Sequence, residues 1–191
     1  MINIAILASG AGTNAENIIK YFHSNDKVNV ALVLSNNSNA GALVRAMQWN
    51  VPSFAFPREA FAGTETVVLE KLREYKTDFI VLAGFMNKVT SPILDTFHNR
   101  IVNIHPALLP KYGGKGMYGM NVHKAVIEAG EKQSGITIHY INENYDEGNI
   151  IFQATCPVLE SDTPETLAAK VHELEYKWYP LTIENILLHK D

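Results

Sequence analysis

Cysteine is almost absent from this chain: Cys156 is the only one in 191 residues. One thiol cannot form an intrachain disulfide framework, and such usage fits a reducing compartment such as the cytosol. Long apolar runs are also missing, and none approaches the ~20 residues that span a membrane. The start, Met1-Ile2-Asn3-Ile4, enters a strand directly, without the basic stretch of a secretory leader. A soluble, cytoplasmic protein with no membrane partner is therefore expected. Positive charge is not in excess: 16 Lys and Arg face 20 Asp and Glu, a formal net charge of −4. That balance argues against nucleic acid as a partner. The seven histidines include no H-x-x-x-H pair, so no metal is expected. Internal repeats, low-complexity segments and flexible linkers are lacking as well.

What is present is ordinary for a globular enzyme, with 47% apolar and 19% charged residues. Ile2 to Leu7, Val28 to Leu34, Phe79 to Ala83 and Ile101 to His105 read as short buried strands. Helical patterns separate them: from Ala15 through Phe22, near Gly41 to Trp49, over Thr66 to Tyr75, and from Pro92. A short extended piece around Pro52 to Phe56 follows the second helix. Strands alternating with helices imply crossover units and a mostly parallel sheet. Beyond residue 110 the pattern changes. A glycine-crowded loop precedes a helix over Val122 to Ala129. Ile136 to Ile141 and Ile150 to Pro157 then read as a strand pair, with an antiparallel pairing expected. Thr163-Pro164-Glu165 opens a last helix reaching about Trp178. The expectation is one α/β, Rossmann-like domain over 1–191, with helices on both faces of the sheet and an antiparallel C-terminal strand. Its halves would be about 1–100 and 101–191.

Gly10-Ala11-Gly12-Thr13-Asn14-Ala15 satisfies G-x-G-x-x-A between a strand and a helix. Such a turn brings backbone N–H groups close to an anion, and the helix N-terminus favours negative charge. A dinucleotide site also expects an acid near the end of the second strand, to hold ribose. Ser35, Asn36 and Asn37 stand there instead. Thr13 and Asn14 offer side-chain donors suited to a terminal phosphate. The alternatives are a phosphate site and a tight β–α turn without ligand; a nicotinamide site is disfavoured.

Asn103-Ile104-His105-Pro106 closes an apolar run. In a strand, Asn103 and His105 share a face, and Pro106 cannot continue the ladder. Ligands of open α/β sheets collect at such carboxyl ends. An amide and an imidazole here, joined by Asp146 from an acidic, glycine-bounded loop, suit proton transfer and oxyanion stabilisation. His139 lies on the polar face of Gly135-Ile136-Thr137-Ile138-His139 and could line the same cleft, with a structural hydrogen bond as its expected role. Ser9 lacks a nucleophile-elbow setting, and Cys156 reads as structural.

The chain resembles the folate-dependent formyltransferase family, and within it the phosphoribosylglycinamide formyltransferases. The resemblance rests on Ser9-Gly10-Ala11-Gly12-Thr13-Asn14, Leu82-Ala83-Gly84-Phe85-Met86, Asn103 to Pro110, Gly135 to His139, Asp146, Gly148 and Tyr179-Pro180. It implies formyl transfer from 10-formyltetrahydrofolate, as co-substrate, to the amine of 5'-phosphoribosylglycinamide in purine synthesis. Asn103, His105 and Asp146 would be catalytic. Gly12, Thr13 and Asn14 would take the ribonucleotide phosphate, with Glu175 on the sugar hydroxyls and His172 near the phosphate. Met86, Asn87, Lys88 and Val89, Asn103, and Asn142, Glu143, Asn144 and Tyr145 would line the folate pocket. The protein would work as a monomer or homodimer on small molecules only.

Two departures from the family pattern stand out. The segment Lys111 to Asn121 is several residues longer than in many relatives, and its glycines suggest a lid. Asn87-Lys88 replaces a pattern that often carries Arg before an apolar residue, and for the family's other folate-side Arg the sequence offers only Arg58 as a weak candidate. Other readings are formyl transfer to a different amine, formyltetrahydrofolate hydrolysis, and a non-catalytic nucleotide sensor.

Overall fold

Buried strands need apolar side chains on both faces, and the early segments supply them. The computed structural model describes residues 1–57 and 67–189. Its elements run β1 (Ile2–Leu7), α1 (Thr13–Phe22), β2 (Val28–Ser35), α2 (Gly41–Gln48), β3 (Ser53–Ala55), α3 (Val67–Glu74), β4 (Phe79–Leu82) and α4 (Ser91–Thr96). They continue through β5 (Ile101–His105), α5 (Met120–Glu128), β6 (Gln133–Tyr140), β7 (Ile150–Pro157) and α6 (Pro164–Leu188). The sheet is mostly parallel, in the order β3-β2-β1-β4-β5-β6-β7. β6 and β7 form an antiparallel pair. The Rossmann-like α/β architecture with an antiparallel C-terminal strand is the one expected from the sequence. The expected helix start at Thr66 and the candidate Arg58 lie outside the described residues.

Two compact units make up the chain: Met1–Val102 with Glu184–Asp191, and Asn103–Ile183. In the first, β1 pairs in parallel with β2 on one side and β4 on the other, and β2 pairs with β3. Helix α1 buries Ala15, Ile18, Ile19 and Phe22, an i, i+3, i+4, i+7 stripe. Each of the larger side chains contributes about 1.5–3 kcal/mol by leaving water. The end of the chain returns to this unit. Tyr21 Oη donates to Glu184 Oε2 at 2.6 Å, and Asn25 Nδ2 donates to Glu184 Oε1 at 3.3 Å. The carboxylate and burial push the Tyr21 phenol up to about 12, so it stays a donor through the neutral range.

The second unit holds β6, which is buried from Ser134 through His139. Gly135 is required there, because a Cβ would collide with the Ala154 carbonyl across the ladder. Between Ile138 and His139 the register with β7 shifts. Such irregularities re-aim a side chain at the end of a strand, and His139 is the residue affected.

Several bounds differ from the sequence expectation. α1 starts two residues earlier, at Thr13, because Gly12 serves as its N-cap. β6 starts at Gln133 rather than Ile136, since its ladder with β7 carries Gln133, Ser134 and Gly135 despite their weak strand propensity. α6 runs past Pro180 to Leu188. Proline removes one intrahelical donor and usually ends a helix, but the helix around it is buried at Tyr179, Pro180, Thr182 and Ile183.

Candidate active site

In the first unit the glycine loop leaves β1 and enters α1. Gly12 has φ +77°, a left-handed value that glycine adopts without steric cost. A Cβ there would also collide with Ala42 of α2. Two restraints therefore select glycine before any ligand is considered. Arg45 Nε donates to the Ala11 carbonyl at 2.9 Å, pinning the loop. The same guanidinium pairs with Glu16 through Nη1, and Lys20 Nζ reaches Glu16 at 2.8 Å. With glycine as N-cap, α1 has no side-chain acceptor for its first-turn N–H groups. Those donors, the helix dipole and the Thr13 side chain make an anion-binding arrangement. Ser9 is structural: its Oγ donates to Asn36 Oδ1 at 2.6 Å and accepts from Met86 N at 2.9 Å. That bond fixes the start of the 86–89 segment, where Met86 is exposed and Val89 buried.

In the second unit, Asn103 and His105 point to the same side of β5, as strand alternation requires. His105 is 4% exposed. Its Nε2 lies 2.7 Å from the Tyr112 carbonyl. A carbonyl can only accept, so Nε2 carries the hydrogen. His105 Nδ1 faces Asp146 Oδ2 at 3.6 Å. That distance is too long for a hydrogen bond and forms an ion pair only when the ring is charged. Burial pushes the His105 pKa below the ordinary value, while Asp146 and the Tyr112 carbonyl pull it back up. Burial is the largest of these effects, so the net shift is downward.

His139 is tied in differently. Its Nδ1 donates to the Tyr140 carbonyl at 2.8 Å, which leaves Nε2 as the acceptor. Asn103 Nδ2 donates to that nitrogen at 3.1 Å. A charged His139 would turn Nε2–H against the Asn103 amide protons, and burial lowers the His139 pKa accordingly. Neutral His139 therefore orients the amide of Asn103. Asp146 Oδ1 lies 3.7 Å from His139 Nε2.

Asp146 sits at φ +56° in the loop between β6 and β7, an uncommon conformation for a residue other than glycine. Gly148 permits the turn, since a Cβ would strike the Tyr140 carbonyl. The glycine-rich segment reaches Asp146 by backbone: Gly114 N donates to Asp146 Oδ2 at 2.8 Å. Gly113 allows this approach, because a Cβ would come within 3.2 Å of the Asp146 Cβ. Within this unit the structure brings together Asn103, His105 and Asp146, the three residues singled out by sequence. It adds His139 as a member and the Tyr112 carbonyl and Gly114 N–H as partners. The two backbone groups carry no side-chain signal that a sequence could show.

Asn142, Glu143, Asn144 and Tyr145 are exposed in the loop that leads from β6 to Asp146. Asn142 shapes that loop by accepting from Asn144 N at 2.9 Å. On α6, Glu175 is buried, and His172 Nε2 stands 3.9 Å from Glu175 Oε2, the i, i+3 neighbour expected on one helix face. His123 of α5 is buried close by, and its Nδ1 has no hydrogen-bond partner among the described residues. Desolvation first, then the positive charges of His172 and His105, push its pKa down to about 4. The sequence offered no reason to single it out.

The chain has clear counterparts among known proteins. A family model described as "Formyl transferase" matches residues 2–183. The chain is 40% identical over 188 residues to the phosphoribosylglycinamide formyltransferase of Haemophilus influenzae, covering 96% of this chain and 86% of that protein. It is 36% identical over 191 residues to the protein of that name from Bacillus subtilis, covering 98% and 95%. Against a chloroplastic relative of the same name from Arabidopsis thaliana it is 41% identical, and spans 62% of that protein's length. The crystal structure of phosphoribosylglycinamide formyltransferase from Bacillus halodurans superposes with a TM-score of 0.89 at 36% identity, covering 99% of this chain and 97% of that one. These names do not favour the other-amine, hydrolase or sensor readings. With a matching family model over nearly its full length and these relatives, the chain belongs to the formyl transferase family.

Proposed function

We propose that this chain transfers the formyl group of 10-formyltetrahydrofolate to the amine of 5'-phosphoribosylglycinamide, a step of purine synthesis. The observation that carries the chemistry is the cluster of His105 Nδ1, Asp146 Oδ2 and Asn103 Nδ2 described above. The names of the Haemophilus influenzae and Bacillus subtilis relatives support the choice of amine.

The neutral amine attacks the formyl carbon. A C–N bond forms, and the carbonyl electron pair moves to oxygen. Asn103 Nδ2, held by His139, and the charged form of His105 donate to that oxygen. Removing one such donor typically costs ~3–4 kcal/mol of transition-state stabilisation. Asp146 stabilises the charged imidazole and accepts the amine proton directly or through water. Collapse breaks the bond from carbon to the folate N10, which leaves with a proton. Products are the formamide and tetrahydrofolate, with atoms and charge balanced.

Gly12, Thr13 and Asn14 take the ribonucleotide phosphate at the start of α1, and Glu175 accepts from the sugar hydroxyls. Met86, Asn87, Lys88 and Val89, Asn103, and Asn142 to Tyr145 contact the folate. Holding both substrates at once supplies the proximity a bimolecular transfer needs. The protein acts in the cytoplasm, a reading supported by its cysteine usage. Among the described residues no helix is long and apolar enough to cross a membrane.

The test is a formylation assay with 10-formyltetrahydrofolate and a panel of phosphorylated amines. Formylation of glycinamide ribonucleotide in preference to the others is expected. Folded protein that leaves it untouched overturns the proposal.

A further inference from the structure

We infer that Glu131, on the turn after α5, is a positioning residue for His105, acting through the backbone of Tyr112. The inference rests on the formyl-transfer reading for its kinetic consequences but not for its geometry.

Tyr112 has φ +57°. A non-glycine residue in the left-handed region persists only where its surroundings hold it, and such residues cluster at functional sites. Two attachments hold this one. Tyr112 Oη donates to Glu131 Oε1 at 3.0 Å, and its own carbonyl accepts from His105 Nε2 at 2.7 Å. Lys111 Nζ meets the same Glu131 oxygen at 2.7 Å. Glu131 thus anchors two consecutive side chains at the mouth of the glycine-rich segment. Gly113 and Gly114, which follow, have no side chains with which to fix the turn. The Glu131 carboxylate is therefore the anchor of the Tyr112 side chain, which with the Gly114 N–H bond to Asp146 sets the plane of the Tyr112 peptide.

That plane matters because the carbonyl decides which nitrogen of His105 is protonated. With Nε2–H committed to Tyr112, Nδ1 is the nitrogen left for Asp146 and for a reacting oxygen. The carbonyl also favours the charged ring, opposing burial. Both effects depend on a direction that Glu131 sets from the surface. The groups acting on His105 are Asp146, at 3.6 Å, and the Tyr112 carbonyl, while the charge of His105 acts in turn on the rings of His139 and His123. The phenol is pushed up by burial and by Glu131, so it remains a donor through the neutral range.

The experiment combines Tyr112→Phe, Glu131→Ala, Glu131→Gln and Lys111→Ala. Two readouts are taken on the intact protein: imidazole nitrogen NMR of His105 across pH, and steady-state formyl transfer. Wild type should show neutral His105 protonated at Nε2. In Tyr112→Phe and Glu131→Ala the His105 pKa should fall by about half a unit, as one support of the charged form is misaligned. Turnover should fall about 3–10-fold with KM changed less than about two-fold, the pattern of a loss felt in the transition state. The basic limb of the rate profile should move to lower pH with it. Glu131→Gln keeps an acceptor for Tyr112 Oη and should recover most of the turnover. Lys111→Ala leaves the Tyr112 bond in place and should behave as wild type.

An unchanged His105 titration in both Tyr112→Phe and Glu131→Ala overturns the inference, whatever turnover does. A His105 shift in a protein that does not formylate glycinamide ribonucleotide would leave the positioning intact and overturn the proposed function instead.

Discussion

Asn103 Nδ2 stands 3.1 Å from His139 Nε2, and His139 in turn is locked by its bond to the Tyr140 carbonyl. A buried neutral histidine therefore aims the amide proposed to meet the developing oxyanion. Replacing His139 with Ala frees that amide to rotate. Turnover should drop about 10–100-fold with little change in KM for either substrate. Steady-state kinetics check this, and an unaltered kcat would remove His139 from the site.

Asp146→Asn tests charge separately from shape. An Asn oxygen can still accept the Gly114 N–H that Asp146 now accepts at 2.8 Å, so the fold should survive. The loss is the negative charge facing His105 Nδ1. Because Asp146 raises the His105 pKa against burial, removing it should lower that pKa further. Turnover should fall about 100-fold or more while thermal stability stays near wild type. Turnover within a few-fold of wild type would discount the carboxylate.

Gly12 and Thr13 should separate folding from binding. Gly12→Ala places a Cβ against Ala42 at φ +77° and should cost about 1–3 kcal/mol of stability. Thr13→Ala meets no such clash. It should raise the KM for the phosphorylated substrate several-fold and leave the melting temperature unchanged. Thermal melts and kinetics on the pair decide the point, and an unchanged KM in Thr13→Ala would count against the phosphate contact.

His123 gives an expectation for acid stability. Its pKa is lowered from the ordinary 6.5 to about 4 in the folded protein. The unfolded chain therefore binds this proton first as pH falls. The stabilisation is complete above the unfolded pKa and is lost as pH falls from there toward the folded one. About 2 kcal/mol should disappear between pH 8 and pH 5. His105 and His139 are shifted in the same direction and add to the slope. Denaturant titrations should show this loss reduced in His123→Met. An equal loss in that variant would assign the slope to other groups.

Much of this was readable from residue order. Period-two alternation put Asn103 and His105 on one face of β5, and Pro106 marked where that strand stops. The apolar stripe from Ala15 to Phe22 predicted the buried side of α1. What could not be read depends on contacts distant in sequence. The tautomer of His105 is fixed by the Tyr112 carbonyl, and carbonyls look alike at every position. The reach of α6 beyond Pro180 is set by burial of its neighbours, against a local rule that says stop. His139 was visible as a polar residue in an apolar strand. Its partnership with Asn103 spans 36 positions and follows from strand pairing, with no local motif to announce it.

The return of the chain's end to the first unit bears on the order in which the molecule can fold during synthesis. Residues up to Val102 leave the ribosome long before Glu184 does, yet Tyr21 and Asn25 have their carboxylate partner only at Glu184. The first unit is therefore unfinished while the entire second unit, with the proposed catalytic residues, is being made. A nascent chain released early would leave Tyr21 Oη and Asn25 Nδ2 without the Glu184 carboxylate that they meet in the folded protein.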